Sequence, residues 1–241
     1  MTLRLTARNL ALGHPGHPVL HGVDLDVEPG EVLTVVGPSG GGKSTLLRAL
    51  AGLLRPVAGE LLADGEPVRG PGADRALVFQ DDGLLPWRTV RRNVELPLTV
   101  RRVPRALRGA PTAEWIGRVG LDGLTDRLPR ELSGGQRQRV QLARALVGEP
   151  RAVLMDEPFG ALDAQTRAAM QRLLLSVQER QRCTVVFVTH DVDEALFLGD
   201  RVAVLGGGTV AAVHEVPHPR DGARRTDPAV LALRERILGS L

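Results

Sequence analysis

Nine residues, Gly37-Pro38-Ser39-Gly40-Gly41-Gly42-Lys43-Ser44-Thr45, constrain this chain more than any other stretch. They fit the pattern G-x-x-x-x-G-K-[ST] at every fixed position. The apolar, β-branched run Val32–Val36 precedes them and the helix-forming run Leu46–Ala51 follows. Strand, glycine-rich loop and helix in that order form a cradle whose backbone N–H groups and positive helix end face an anion. Lys43 supplies a mobile charge for the terminal phosphates of a nucleoside triphosphate, and the Ser44 hydroxyl is placed to ligate Mg²⁺. Among the 31 Lys and Arg residues, Lys43 is the single lysine. A sequence that otherwise writes Arg has kept a compact ammonium where a planar guanidinium would not fit.

At 241 residues the chain can bury a full core, as one large α/β domain or a core with a sub-domain. No run approaches the roughly 18–20 apolar residues of a membrane span, and the start, Met1–Arg8, lacks the apolar core of a signal peptide. A soluble product that stays in the cytosol is the expectation. The lone Cys183 excludes an internal disulfide; beside the apolar run Thr184–Val188 it reads as a buried, inert thiol. The net charge of +3 is a mild Arg excess. There is no long basic block, and two Trp and four Phe offer no stacking platform, so no nucleic-acid partner is expected.

Along the chain, residues 3–10 and His17–Val27 alternate apolar and polar side chains and read as antiparallel strands, with a turn-rich segment, Gly13–Pro18, between them. Glu60–Val68 reads as a hairpin with Asp64-Gly65 at its tip. Ala76–Phe79 is a short strand ending on Gln80. From Asp81 to Pro150 the pattern turns helical, with Arg and Pro punctuation. Strands are then expected at Arg151–Met155, Thr184–Thr189, Arg201–Leu205 and Thr209–Val213, and helices at Ala164–Arg182, Val192–Leu198 and Pro228–Leu238. The fold class is therefore α/β: a phosphate-loop core with an N-terminal antiparallel β subdomain (residues 1–80 and 151–241 together) and an inserted helical subdomain at about 81–150.

Two further constellations carry chemistry. The strand Ala152–Met155 ends in Asp156-Glu157: Asp156 can hold Mg²⁺ through its water shell, and Glu157, pointing elsewhere, can polarise an attacking water. In Leu132-Ser133-Gly134-Gly135-Gln136, Ser133 can cap the helix that follows and the glycines leave the backbone bare. This is a second phosphate-binding helix end.

With these motifs in this order the chain resembles the ATP-binding subunits of ABC transporters, over essentially its whole length. The resemblance implies that Gly37–Thr45 is the Walker A loop for ATP and Mg²⁺. Gln80 matches the glutamine that senses Mg²⁺ and the attacking water and couples to the membrane partner. Leu132–Gln136 resembles the family signature, whose Ser133, Gly134 and Gly135 would touch the γ-phosphate held by a second copy. Asp156 and Glu157 match the Walker B pair, with Glu157 the catalytic base. Gly160–Asp163 resembles the loop that crosses the dimer interface, and His190 matches the switch histidine at the γ-phosphate. An integral-membrane permease, docking around Gln80–Arg92, and indirectly a solute-binding protein are the implied partners. The implied location is the cytoplasmic face of the cell membrane.

One departure stands out. The family stacks the adenine on an aromatic upstream of the phosphate loop, whereas here no aromatic precedes Phe79 and Tyr is absent altogether. Leu12, His14 or His17 is left to cover the base, with Val19 as an apolar neighbour and His14 the first choice. Gln80 to Val90, with Trp87 after Leu84-Leu85-Pro86, resembles the importers of nitrate, sulfonate, taurine and related small compounds, as does the tail from Val216-Pro217-His218-Pro219-Arg220 onward. A soluble ABC ATPase acting on DNA or ribosomes is the alternative. It would carry two cassettes or a long coiled-coil insert, for which 241 residues leave no room. A GTPase needs an Asn-Lys-x-Asp that a chain with one lysine cannot supply.

Overall fold

The computed structural model describes residues 2–14, 16–81, 83–217 and 227–241. Pro15 of the first turn, Asp82, and His218, Pro219 and Arg220 of the tail therefore lie outside the described residues. In chain order the strands are β1 (Leu5–His14), β2 (His17–Val27), β3 (Val32–Val36), β4 (Ala58–Ala63), β5 (Glu66–Pro67), β6 (Arg75–Val78), β7 (Ala152–Asp156), β8 (Thr184–Val188), β9 (Arg201–Gly206) and β10 (Thr209–Glu215). The helices are α1 (Lys43–Leu50), α2 (Val90–Val94), α3 (Leu96–Val100), α4 (Arg105–Arg118), α5 (Gly134–Leu146), α6 (Ala164–Gln181), α7 (Val192–Leu198) and α8 (Pro228–Leu238).

Two sheets share these strands. β2-β1-β4-β5 is antiparallel, and the six-stranded sheet runs β10-β9-β3-β8-β7-β6. From β9 to β6 its strands are parallel, with β10 antiparallel at one edge. Parallel strands covered on both faces read as unbroken apolar runs, and every residue of β3, β7 and β8 is buried. Alternate side chains then serve opposite faces. Leu33, Val35, Leu154 and Val186 pack with α1 and the antiparallel sheet. Val32, Val153, Met155 and Phe187 pack with Val140, Leu142 and Leu146 of α5 and Leu174 of α6. α7 and α8 close a third cluster around Leu196, Val204 and Leu233. Helices α2 to α5 occupy the chain between β6 and β7.

The first hairpin is longer and tighter than its composition suggests. The expected Gly13–Pro18 turn is largely strand, with Gly13 paired to Pro18 and His14 to His17. Pro18 is tolerated because β2 is an edge strand, where proline is admitted. Gly13, at φ 133°, takes the bend: a Cβ there would lie 2.7 Å from the Val19 nitrogen. Cys183 is buried, and burial pushes its thiol up to about 11, which leaves it protonated and inert at neutral pH. Among the described residues no helix is long and apolar enough to cross a membrane.

Candidate functional site

Because β3, β6, β7 and β8 are parallel, their C-terminal ends lie along one edge, and open α/β sheets bind ligands in the crevice outside that edge. The phosphate loop follows β3, Gln80 follows β6, Asp156 and Glu157 end β7, and His190 follows β8. Topology alone thus brings together four motifs that span 154 positions, from Gly37 to His190.

The loop's glycines are needed for close approach. A Cβ on Gly37 would sit 2.8 Å from the Leu205 carbonyl oxygen, and one on Gly42, at φ 90°, 2.7 Å from Leu20 Cδ2. Gly42 caps α1 without a side-chain hydrogen bond, and no acidic residue sits in the first turn, so the positive end of α1 is left to a ligand. Lys43 is 7% exposed, and its Nζ donates to the carbonyls of Gly37 (2.8 Å) and Pro38 (3.0 Å). A buried ammonium satisfied only by loop carbonyls is poised for a stronger acceptor. These features fit a triphosphate.

Ser44 lies beside Asp156 and favours its ionised form. Burial pushes that carboxyl above the ordinary range and the neighbouring Glu157 charge adds to the rise, while Ser44, Arg48 and Lys43 oppose it. A hydroxyl and a buried carboxylate sharing one spot are suited to a hard divalent cation.

Glu157 points elsewhere for a backbone reason. Its φ of 45° lies in the left-handed region, a strained choice for a non-glycine residue, and its N–H donates to the Val188 carbonyl at 2.9 Å. The turn swings its carboxylate to His190, whose Nδ1 lies 3.1 Å from Glu157 Oε2. The Gln80 side chain is exposed at the same edge.

Ser133 to Gln136 sit at a different place. Ser133 caps α5, its Oγ accepting from the Gln136 N–H at 3.2 Å, while the Ser133 N–H donates to Gln136 Oε1 at 2.9 Å. This capping box uses the Gln136 side chain within the chain. Gly134 and Gly135 lie against Ala161 and Leu162, so the segment before α6 borders the start of α5. Asp163 caps α6 by accepting from the Thr166 N–H at 3.0 Å, a bond that holds its carboxyl below the usual range. Ser133 and Asp163 both face outward. His14 and His17 are exposed at the tip of the first hairpin, whereas Leu12 is fully buried, which removes Leu12 from the base-covering role.

The full chain agrees with known proteins. Residues 20–160 match the ABC transporter family. The chain belongs to that family. A taurine import ATP-binding protein of Pseudomonas putida is 44% identical over 245 residues, covering 97% of this chain and 94% of the relative. An uncharacterized ABC transporter ATP-binding protein of Methanocaldococcus jannaschii is 48% identical over 226 residues, covering 92% and 84%. A dimeric ATP-binding cassette bound to ADP and phosphate superposes with a TM-score of 0.82 at 31% identity, over 89% of this chain and 100% of that one. This ABC cassette is an ATPase whose hydrolysis of ATP is coupled to transport.

Four residues of the cassette carry structure that composition did not single out. Gln141 of α5 is 1% exposed, and its Nε2 donates to the Asp81 carbonyl at 3.1 Å; Arg144 Nη1 donates to the Gly83 carbonyl at 2.9 Å. The helix that starts at Ser133 therefore grips the backbone just after Gln80. A glutamine inside the apolar stripe Val140–Ala143 was the available signal. Gln171 and Glu194 are likewise buried and bonded to each other at 2.9 Å. Asp191 caps α7 by accepting from the Glu194 N–H at 3.1 Å, while the Glu194 carboxylate turns inward.

Proposed function

We propose that the cassette is the ATP-hydrolysing subunit of an importer for a small organic or inorganic anion of the sulfonate, taurine or nitrate kind. Two copies work head to tail around two ATP. The observation that carries the reading is the Glu157–His190 pair, 3.1 Å apart, beside the neighbouring Ser44 and Asp156 at the end of the phosphate loop. Lys43 and the α1 end bind the phosphates. Ser44 and Asp156, with Gln80, would hold Mg²⁺, which when bound would supply charge neutralisation at the phosphates. Glu157 takes the proton of the attacking water, and His190 orients that carboxylate and contacts the γ-phosphate. The partner copy's signature residues, Ser133 to Gln136, complete the site, with Asp163 at the same interface. The outward-facing Ser133 and Asp163 favour this arrangement.

The permease contacts the segment Gln80–Arg92, where Trp87 is 71% exposed, and holds the cassette at the cytoplasmic face of the membrane. The import direction and solute class rest on the taurine import relatives and on the Leu84-Leu85-Pro86-Trp87 stretch. Solute choice belongs to the permease and a solute-binding protein, which are other chains.

The decisive experiment is Glu157→Gln. The variant binds ATP with wild-type affinity, turns it over at least about 100-fold more slowly, as loss of a general base requires, and elutes as a dimer with ATP. Near-normal hydrolysis overturns the assignment of the base. Growth of a strain lacking this gene on taurine as sole sulfur source tests the solute class, and undiminished growth removes taurine.

A further inference from the structure

Thr189, Asp191 and Glu194 close a small hydrogen-bonded ring around His190. The Thr189 N–H donates to the Val35 carbonyl at 3.1 Å, which fixes the end of β8 against β3. Its Oγ1 donates to Glu194 Oε2 at 2.7 Å and accepts from the Asp191 N–H at 3.1 Å. Asp191 Oδ1 in turn accepts from the Glu194 N–H at 3.1 Å. The other carboxylate oxygen, Glu194 Oε1, accepts from Gln171 Nε2 at 2.9 Å. Gln171 is on α6, the helix that begins at Asp163. Thr189 is 2% exposed, Gln171 4% and Glu194 8%, so these three are buried, while Asp191 at the edge of the ring is half-buried.

His190 itself is different. Its side chain is 69% exposed, and its contact to Glu157 leaves the imidazole held from one side. The ring beneath it therefore sets where its Cα and first torsion lie. Burying a carboxylate costs desolvation that its hydrogen bonds must offset. What the carboxylate adds is direction: a 2.7 Å bond from Thr189 in the turn and a 2.9 Å bond from Gln171 of α6.

We propose that Glu194 is a positioning residue for catalysis, acting through Thr189 to hold His190 against Glu157, and that Gln171 ties this hold to the helix that starts at the dimer-facing Asp163. The inference rests on the reading of Glu157 and His190 as the reacting pair. Its surroundings suit the task. Burial pushes the Glu194 carboxyl up and the Asp191 charge adds to the rise, while the bonds from Thr189 and Gln171 and the charge of Arg167 favour the ionised form. A cavity of about 360 Å³ between α6, α7 and α8 lies beside it. Arg167 of α6, Asp191 before α7, Asp193 of α7 and Arg234 of α8 line that cavity, and Arg234 bonds Asp193 at 2.8 Å.

The test separates this inference from the reading beneath it. Glu157→Gln and His190→Ala are measured first; if either keeps wild-type turnover, the catalytic pair itself is wrong. Given that both lose turnover, Thr189→Val, which keeps the shape and removes the hydroxyl, is expected to lower kcat about tenfold, since small misplacements of reacting groups are costly. KM and ATP affinity stay at wild-type values, and Thr189→Ser restores kcat. In the His190→Ala background Thr189→Val adds no further loss in single-turnover assays, as a residue acting only through His190 must behave. Glu194→Gln, which keeps the volume and one acceptor, gives the same pattern in milder form and serves if Thr189→Val does not fold. Wild-type kcat in both variants overturns the proposal. So does a loss confined to ATP affinity, or one that is undiminished without His190.

Discussion

Around Ser44, Asp156 and Glu157 every partner comes from the strand ends or the helix that follows them, and those strands are buried along their whole length. Around Ser133 the picture is reversed. The capping residue faces outward, its bonds stay within one helical turn, and the helix behind it packs on the core through Val140, Leu142 and Leu146 and bonds a loop backbone through Gln141 and Arg144. In the proposed head-to-tail dimer, one half of the site is built into the core, and the other is carried on an arm that grips the stretch beside Gln80. A site divided in that way would bind nucleotide with one surface and complete its hydrolysis with another. Moving the loop after Gln80, where the permease is proposed to dock, would move the signature end of the same arm.

The sharpest break of this contrast is Lys43→Ala. Charge-assisted hydrogen bonds are worth about 1.5–3 kcal/mol each, so ATP affinity, read by calorimetry, should fall by about 100-fold and turnover with it. An unchanged affinity would mean that the core half does not grip the phosphates.

Ser133→Arg should behave in the opposite way. Binding by the isolated chain stays at the wild-type value, while turnover falls by about 100-fold, comparable to removing a donor that stabilises transition-state charge. Mixing the two dead variants tests the division directly. A head-to-tail pair of Lys43→Ala and Ser133→Arg chains contains one intact loop facing one intact Ser133. With random pairing, about one quarter of wild-type turnover returns. A mixture no faster than either variant alone would place both halves within one chain.

How legible this was in the sequence follows the same divide. The core strands were readable because a strand covered on both faces has to be apolar, and each ran straight into a chemical motif. Val32–Val36, Ala152–Asp156 and Thr184–Val188 are found within a residue or so of their expected bounds. The insert was readable only as a change of character. Its helices α2 and α3 have five residues each, α3 and α4 each include a proline, and α2, α3 and α4 pack on one another and on α5. The grip of Gln141 on Asp81 spans 60 positions; the apolar run around Gln141 marks it as buried, but no local pattern names the carbonyl it reaches. The bond between Gln171 and Glu194 joins two helices across 23 positions, and no local pattern marks it.

The weakest grip is expected at the base. His14 and His17 pair across the tip of the first hairpin and are exposed, and Val19 nearby is 42% exposed. Leu20 on the same strand meets Gly42, which brings this hairpin against the phosphate loop. An imidazole from the tip can therefore cover one face of a purine, with a smaller and more hydrated ring than an indole or phenol. Base–aromatic stacking contributes about 1–3 kcal/mol in nucleic-acid systems, and an exposed imidazole belongs at the bottom of that range. His14→Ala should weaken ATP by roughly threefold to fivefold and GTP by a similar factor, leaving kcat unchanged, because a π-face does not distinguish purines. No change for either nucleotide would remove His14 from the role and make His17 the next substitution. A loss for ATP alone would show that the hairpin reads the adenine edge, a discrimination that stacking cannot supply.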